Sequence, residues 1–320
     1  MKFMMRLFTI IFFSILVAKA QDFSGIKQIT DGYSGLITVE KLAKNINRDF
    51  NTDEDKTKAL YAWLTKNVRY DLKEFYNPNR QTKTSFRYRT EEEKQQKIKA
   101  INEKIVRKTL RTRKAVCEGY ARTFAEVCSL LNIENEVVAG HVRNSAQEIG
   151  NSSLSANHAW NAVKLNGKWI YIDATWGAGA ETNGRWIRRF NPYYYNIPKK
   201  KYFKTHFPEK SIWRLRVGRI TKEQYYNQPV FSNDFLKTNV TLKSPNAGIL
   251  KRGKGNVVTI KLGNAKQREF FVGFLGSSRA VKPEKVVSKS TTTVRFVPPP
   301  GTKQCFLLMD REVAIEFLID

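Results

Sequence analysis

Cysteine and histidine are scarce in this chain, which has three of each in 320 residues. An odd number of thiols leaves at least one unpaired. No Cys and His stand at the close spacing that a zinc site needs, so metal-centred chemistry has no support and the expectation is no metal. Acidic residues are also few, 29 against 56 Lys and Arg. Beyond the first residues no apolar run reaches the roughly 20 residues needed to cross a bilayer. No internal repeat stands out. The aromatics do not interleave with the basic residues in any RNA-binding signature, so a specific nucleic-acid partner is not expected. What is plentiful is core material: 41% of residues are hydrophobic and 12% aromatic, which argues against global disorder.

The chain opens with the basic stretch Met-Lys-Phe-Met-Met-Arg, and residues 7–18 are then almost wholly apolar. Ala18 and Ala20 supply the small residues that precede a signal-peptidase cut, with Gln21 the new N-terminus. Residues 1–20 therefore read as a signal peptide, and the protein as exported, periplasmic or secreted. Gln21 is not cysteine, so the lipid-anchored form of this signal is not expected. Losing Lys2, Arg6 and Lys19 would lower the formal charge from +27 to +24. Two segments concentrate that charge: 80–114 with net +9, and 185–222 with net +11. Such surfaces attract anionic polymers, so an acidic glycan or an envelope surface is a candidate partner.

Residues 38–50 and 54–68 have helical periodicity, with Leu60, Trp63, Leu64 and Val68 on one stripe. Asn77, Pro78 and Asn79 signal a loop. The charged stretch 91–114 reads as a solvated helix, and the longer basic stretch 80–114 reads as an insertion able to form a lid or substrate surface. A further helix is expected over 117–131, with Cys117, Ala121, Phe124, Cys128 and Leu131 on one face. Three turns of helix set Cys117 and Cys128 about 16 Å apart, well beyond the roughly 7 Å between Cα atoms that a disulfide tolerates. Residues 158–165 and 168–175 read as strands. From about Asp234 the pattern becomes short β-rich runs: 240–243, 257–262, 269–275, 292–297, 304–309 and 313–319. Their spacing predicts a small antiparallel β-sandwich, immunoglobulin-like, over 234–320. The expected division is a signal peptide over 1–20, a catalytic domain over 21–233 and this binding or stabilising module.

Cys117 falls at the start of its helix, where unpaired N–H groups and the helix dipole favour a thiolate and face a developing oxyanion. Arg113 and Lys114 add positive potential. Asn166-Gly167 is a type I′ hairpin signal. A two-residue turn there pairs Leu165 with Lys168, and by extension Trp160 with Asp173 and His158 with Thr175. These four then share one face, with His158 and Asp173 diagonal neighbours roughly 7–8 Å apart at the backbone. In that arrangement His158 takes the thiol proton and Asp173 orients and stabilises the imidazolium. Cys117, His158 and Asp173 are the expected catalytic residues. His141 and His206 stand outside this set, and His206 reads as structural.

The segments Ala-Val-Cys117-Glu-Gly-Tyr-Ala-Arg-Thr-Phe, Asn-His158-Ala-Trp-Asn-Ala-Val and Trp-Ile-Tyr-Ile-Asp173-Ala-Thr-Trp-Gly together resemble the transglutaminase-like superfamily. The stretch Tyr61 to Asp71 is similar to its preceding helix. Tyr202-Phe-Lys-Thr-His-Phe-Pro208 followed by Trp213-Arg-Leu is similar to the kyphoscoliosis peptidase branch. The resemblance spans about residues 35–230. It implies an α+β, papain-like core, no cofactor, and a Cys-His-Asp triad acting on protein or peptide amides. Hydrolysis is expected over cross-linking. A non-catalytic binding protein on the same fold, or a cell-wall peptide amidase, is the alternative.

Overall fold

The computed structural model describes residues 22–77 and 86–320. The leader expected over 1–20 and most of the loop signal at Asn77, Pro78 and Asn79 lie outside them. The fold is α+β. Six helices precede the first long strand: α1 (Ser24–Thr30), α2 (Val39–Asp49), α3 (Asp53–Asn67), α4 (Leu72–Tyr76), α5 (Glu91–Thr112) and α6 (Cys117–Leu130). Thr38, Thr52 and Thr90 open α2, α3 and α5 by accepting a backbone N–H on the side-chain oxygen. Acidic residues in the first turns of α3 and α5 complement the helix dipole. Every residue of α3 from Ala59 to Thr65 is buried, so this helix runs through the core rather than over it. By contrast, α5 buries only Val106, Thr109 and Leu110, in its last turns, and the rest is exposed or half-buried. Arg113 then takes a left-handed conformation and ends it.

Strand β1 (Arg69–Tyr70) runs parallel to β2 (Lys114–Ala115). The central sheet is β5 (Lys168–Ile172), β4 (His158–Leu165), β3 (Asn135–Val142) and β8 (His206–Pro208), in that order and antiparallel throughout. Asn166 and Gly167 both have positive φ, as the two-residue turn demands, and Leu165 pairs with Lys168. The ladder continues to Asn161 and Ile172 and stops. Asp173 does not extend β5: its side chain caps a short helix, α7 (Ala174–Ala178), so Thr175 is helical and not on the strand expected over 168–175. A hairpin of β6 (Gly179–Thr182) and β7 (Arg185–Arg188) follows, then α8 (Lys199–Tyr202) and β8.

Two further sheets enclose a second core. One is ordered β10 (Thr241–Ser244), β12 (Val258–Gly263), β15 (Thr291–Phe296), β14 (Glu284–Ser288). The other is β11 (Ile249–Leu250), β17 (Glu312–Ile319), β16 (Gln304–Met309), β13 (Phe270–Phe274), with β9 (Val230–Phe231) also paired to β17. Inward residues alternate along the strands, for example Val258, Ile260 and Leu262 facing Phe270, Val272 and Phe274 in one cluster. The pairing is not wholly antiparallel, because β11 lies parallel to β17. Strand β14 was not expected. All five of its residues are exposed, so it shows no alternation to read.

Several contacts tie this part to the first. Lys201 Nζ donates to the carbonyls of Leu236 and Thr238 at 2.6 and 2.7 Å. Arg189 meets Asp234 at 3.2 Å, Gln147 meets Gln304 at 2.7 Å, and Tyr194 Oη bonds to Asn233 Oδ1. Among the described residues no helix is long and apolar enough to cross a membrane.

Candidate active site

Cys117 is the first residue of α6, following Val116, which has no side-chain oxygen to cap the helix N-terminus. The opening N–H groups are therefore not taken by a capping side chain. Helix α6 packs against β4, and Asn161 Nδ2 donates to the carbonyl of Ala121 at 3.0 Å, one turn after the cysteine. Gly119 permits the close fit of α6 against its neighbours: a Cβ there would stand 2.6 Å from both Ala115 Cβ and Thr109 Oγ1. The β1–β2 pair sets Tyr70 beside Ala115, two residues before Cys117. All three thiols are free, but only Cys117 is partly exposed. Burial pushes the Cys128 thiol well above its ordinary range and the Cys305 thiol up to about 12.

His158 begins β4 opposite Gly140, and its Nε2 lies 2.7 Å from Asp173 Oδ2. The other carboxylate oxygen of Asp173 accepts the N–H groups of Thr175 and Trp176 at 2.9 and 3.0 Å. His158 and Asp173 are thus brought together, as the hairpin predicted, but through a helix cap rather than a continued strand. His206, which the sequence set apart, arrives at the same place. It stands on β8 across β3, and its Nε2 is 3.1 Å from Asp173 Oδ2. His141 does not join them; it is buried against Glu209 and Tyr226.

Burial opposes charge on His158, yet the Asp173 carboxylate outweighs it and, with the Cys117 thiol, raises the imidazole to about 10. Burial would likewise raise Asp173, and the two imidazoles more than reverse this, holding the carboxyl below its usual range. For His206 burial prevails over the carboxylate and lowers it, favouring the neutral ring. Aromatic rings close the site. Trp160 lies 6.0 Å from His158 and 4.8 Å from His206, centroid to centroid, and Trp176 lies 5.8 and 5.1 Å from the same pair. Trp160 is itself fixed by donating Nε1–H to Tyr202 Oη at 2.9 Å.

The candidate ligand atoms of His158, Asp173 and His206 all fall within 4.8 Å of one another, a spacing that would also suit a cation. Both short contacts run from an imidazole nitrogen to one carboxylate oxygen, which is the pattern of two hydrogen bonds. A metal there would have to displace both.

Residues 40–174 match the model of the transglutaminase-like superfamily. The human kyphoscoliosis peptidase is 24% identical over 239 residues, covering 72% of this chain and 33% of that protein. The Caenorhabditis elegans Lim and transglutaminase domain protein ltd-1 is 23% identical over 137 residues, 39% of this chain and 19% of its own. The chain thus spans about a third, or less, of the length of these curated relatives. A crystal structure described as a TGase aligns over 54% of this chain and 37% of its own, with 17% identity and a TM-score of 0.30, too loose a match to bear an argument.

Proposed function

From the match of residues 40–174 to the transglutaminase-like superfamily, we propose that this chain is an exported, cysteine-dependent acyl-transfer enzyme acting on protein or peptide amides. The observation that supports this most is the buried 2.7 Å contact between His158 Nε2 and Asp173 Oδ2 beside a thiol at a helix start. Because Nε2 is turned to Asp173, Nδ1 is the nitrogen left to serve Cys117. The thiol proton passes to Nδ1 and the sulfur attacks the amide carbon. The oxyanion meets the Cys117 N–H. Collapse breaks the C–N bond as His158 returns the proton to the departing amine, leaving a thioester. Water then attacks, giving its proton to His158, and the C–S bond breaks as that proton returns to sulfur. Asp173 stays ionised throughout, orienting the ring and stabilising its charge.

Water is the default acceptor, so hydrolysis is favoured; a lysine amine in its place would give a cross-link. A panel of peptides and glutamine donors separates these outcomes. New N-termini mean proteolysis, ammonia without cross-links means deamidation, and inertness toward the whole panel would favour a binding role.

In this reading residues 1–20 are the leader and residues 234–320 an immunoglobulin-like module. Protein from the native host should begin at Gln21 by N-terminal mass analysis, and an intact Met1 would overturn export. The basic segments 80–114 and 185–222 are the face for an acidic glycan or anionic envelope. Not all of that charge is free for the role, since Lys201 and Lys204 are engaged within the chain. Retention on heparin should fall steeply as the Debye length drops from about 10 Å at 0.1 M salt to about 3 Å at 1 M. Salt-independent retention would rule the electrostatic face out.

A further inference from the structure

A carboxylate that serves one imidazole in a Cys-His-Asp arrangement here serves two. Oδ1 of Asp173 accepts two backbone N–H groups, and Oδ2 is shared by His158 at 2.7 Å and His206 at 3.1 Å. His206 is fully buried and holds its ring through its second nitrogen, with Nδ1 2.8 Å from Thr205 Oγ1. A neutral ring with its proton on Nε2 satisfies both contacts: Nε2–H donates to Asp173, and the Thr205 hydroxyl turns its one proton to Nδ1 at 2.8 Å in preference to the Tyr202 carbonyl at 3.3 Å. Trp160 and Trp176 pack against both imidazoles, so neither ring can swing away without disturbing the other. A histidine needed only to fill this space would have no reason to aim its donor at an oxygen already bonded to His158.

We propose that His206 is a positioning residue of the Cys117–His158–Asp173 site: its Nε2–H takes up part of the Asp173 charge, pins the carboxylate, and so limits how tightly that carboxylate holds the proton on His158. The inference rests on the triad reading above. Its chemical content is a matter of sign. A hydrogen bond to an anion favours the anion and weakens its pull on every other donor. With His206 present, His158 can surrender its proton to a leaving amine. Without it, Asp173 turns wholly to His158 and the imidazolium becomes a weaker acid toward the leaving amine. The ionisable groups around Asp173 are Cys117 and Tyr120 from α6, Tyr61 from α3, Tyr70 from β1, Tyr194, and Tyr202 from α8. Burial leads the upward shift of all five tyrosines, so none takes a charge in the range where His158 titrates.

The test is ring ¹⁵N NMR across a pH titration, which is tractable because the full chain has only three histidines. It is run on the wild type and on His206→Phe, His206→Gln and His206→Asn. Gln can present an N–H near the position of Nε2. Phe has no donor, and the Asn side chain is too short to reach. His158 should titrate about one pH unit higher in the Phe and Asn variants, the shift expected when a charged partner loses one hydrogen bond. In the Gln variant it should return close to the wild-type midpoint. The alkaline limb of the pH–rate profile should move the same way, with kcat falling more than KM changes. An unchanged His158 midpoint in folded His206→Phe or His206→Asn protein would overturn the proposal. Should the Phe variant fail to fold, the Gln and Asn pair decides the question. The NMR readout needs no turnover, so a wild type that is inert but shows the shift would defeat the acyl-transfer reading and leave the role of His206 standing.

Discussion

Cys117→Ala and His158→Ala should each abolish turnover while the circular dichroism spectrum stays that of the wild type. The expected loss is on the order of 10⁴-fold or more, because the thiol and its base act on the same bond in the same step. Removing both should cost little beyond removing one. Neither side chain caps a helix, but His158 is buried, so a melting curve read beside the spectrum separates lost turnover from lost stability. Asp173→Asn should be comparably damaging for a different reason. The amide can present an N–H where the ring requires an acceptor, and it carries no charge. In the wild type His158 is raised from 6.5 to about 10, chiefly by that carboxylate acting against burial. The stability this pairing adds is complete below pH 6.5 and is lost as the pH rises through about 10. In Asp173→Asn the support disappears while burial stays, so the alkaline limb of activity should fall toward or below 6.5. Wild-type-like activity in folded Cys117→Ala protein would end the nucleophile assignment. An alkaline limb unmoved in Asp173→Asn would end the account of how His158 holds its proton.

Gly140→Ala should unsettle the site from outside it. Gly140 lies on β3 between His158 of β4 and Pro208 of β8, and paired residues turn toward the same face of the sheet. A Cβ there would stand 2.6 Å from the Trp160 ring and 2.9 Å from Pro208 Cα, and it would also press on the carbonyl of Phe207. Two of those three neighbours are backbone, so the strand must move. The expected cost is about 3 kcal/mol, seen as a melting temperature roughly 5–10 °C lower. The displaced strand carries His206, so activity at a temperature where the variant is still folded should drop as well. A melting temperature within a degree or two of the wild type would show that the sheet accommodates the methyl group and that Gly140 is not what keeps the face open.

Much of this site is written locally in the sequence. The helix that begins at Cys117, the Asn166-Gly167 turn and the pairing of Leu165 with Lys168 are all short-range features, and each forms as its residues dictate. What the sequence obscured was the end of β5. Ile170, Tyr171 and Ile172 continue naturally into Ala174 as a strand pattern, but the Asp173 side chain claims the N–H groups of Thr175 and Trp176 and turns the chain into a helix. His206 was hidden for another reason. It lies 33 residues from Asp173, and only the pairing of β8 with β3 brings the two together. The one local sign is a glycine within β3, which marks a place where the Trp160 ring of β4 and the backbone of β8 crowd in. The exposed strand β14 and the parallel pairing of β11 with β17 had no local sign at all, since neither hides an alternating apolar face of its own.

The segment between β7 and β8 has two allegiances. It gives Tyr194 and Tyr202 to the walls around His206, and the Tyr194 carbonyl accepts the backbone N–H of Asp173 at 2.8 Å. The same segment is clasped from the far side by Asn233, Asp234 and the carbonyls of Leu236 and Thr238. Melting the C-terminal sheets would therefore strip support from the wall that encloses the reacting groups, and losing that wall would free the anchor points of the sheets. Heat or denaturant should meet one cooperative block, with the backbone amides of Asp173 and of the strands beyond Asn233 exchanging their hydrogens in the same opening event.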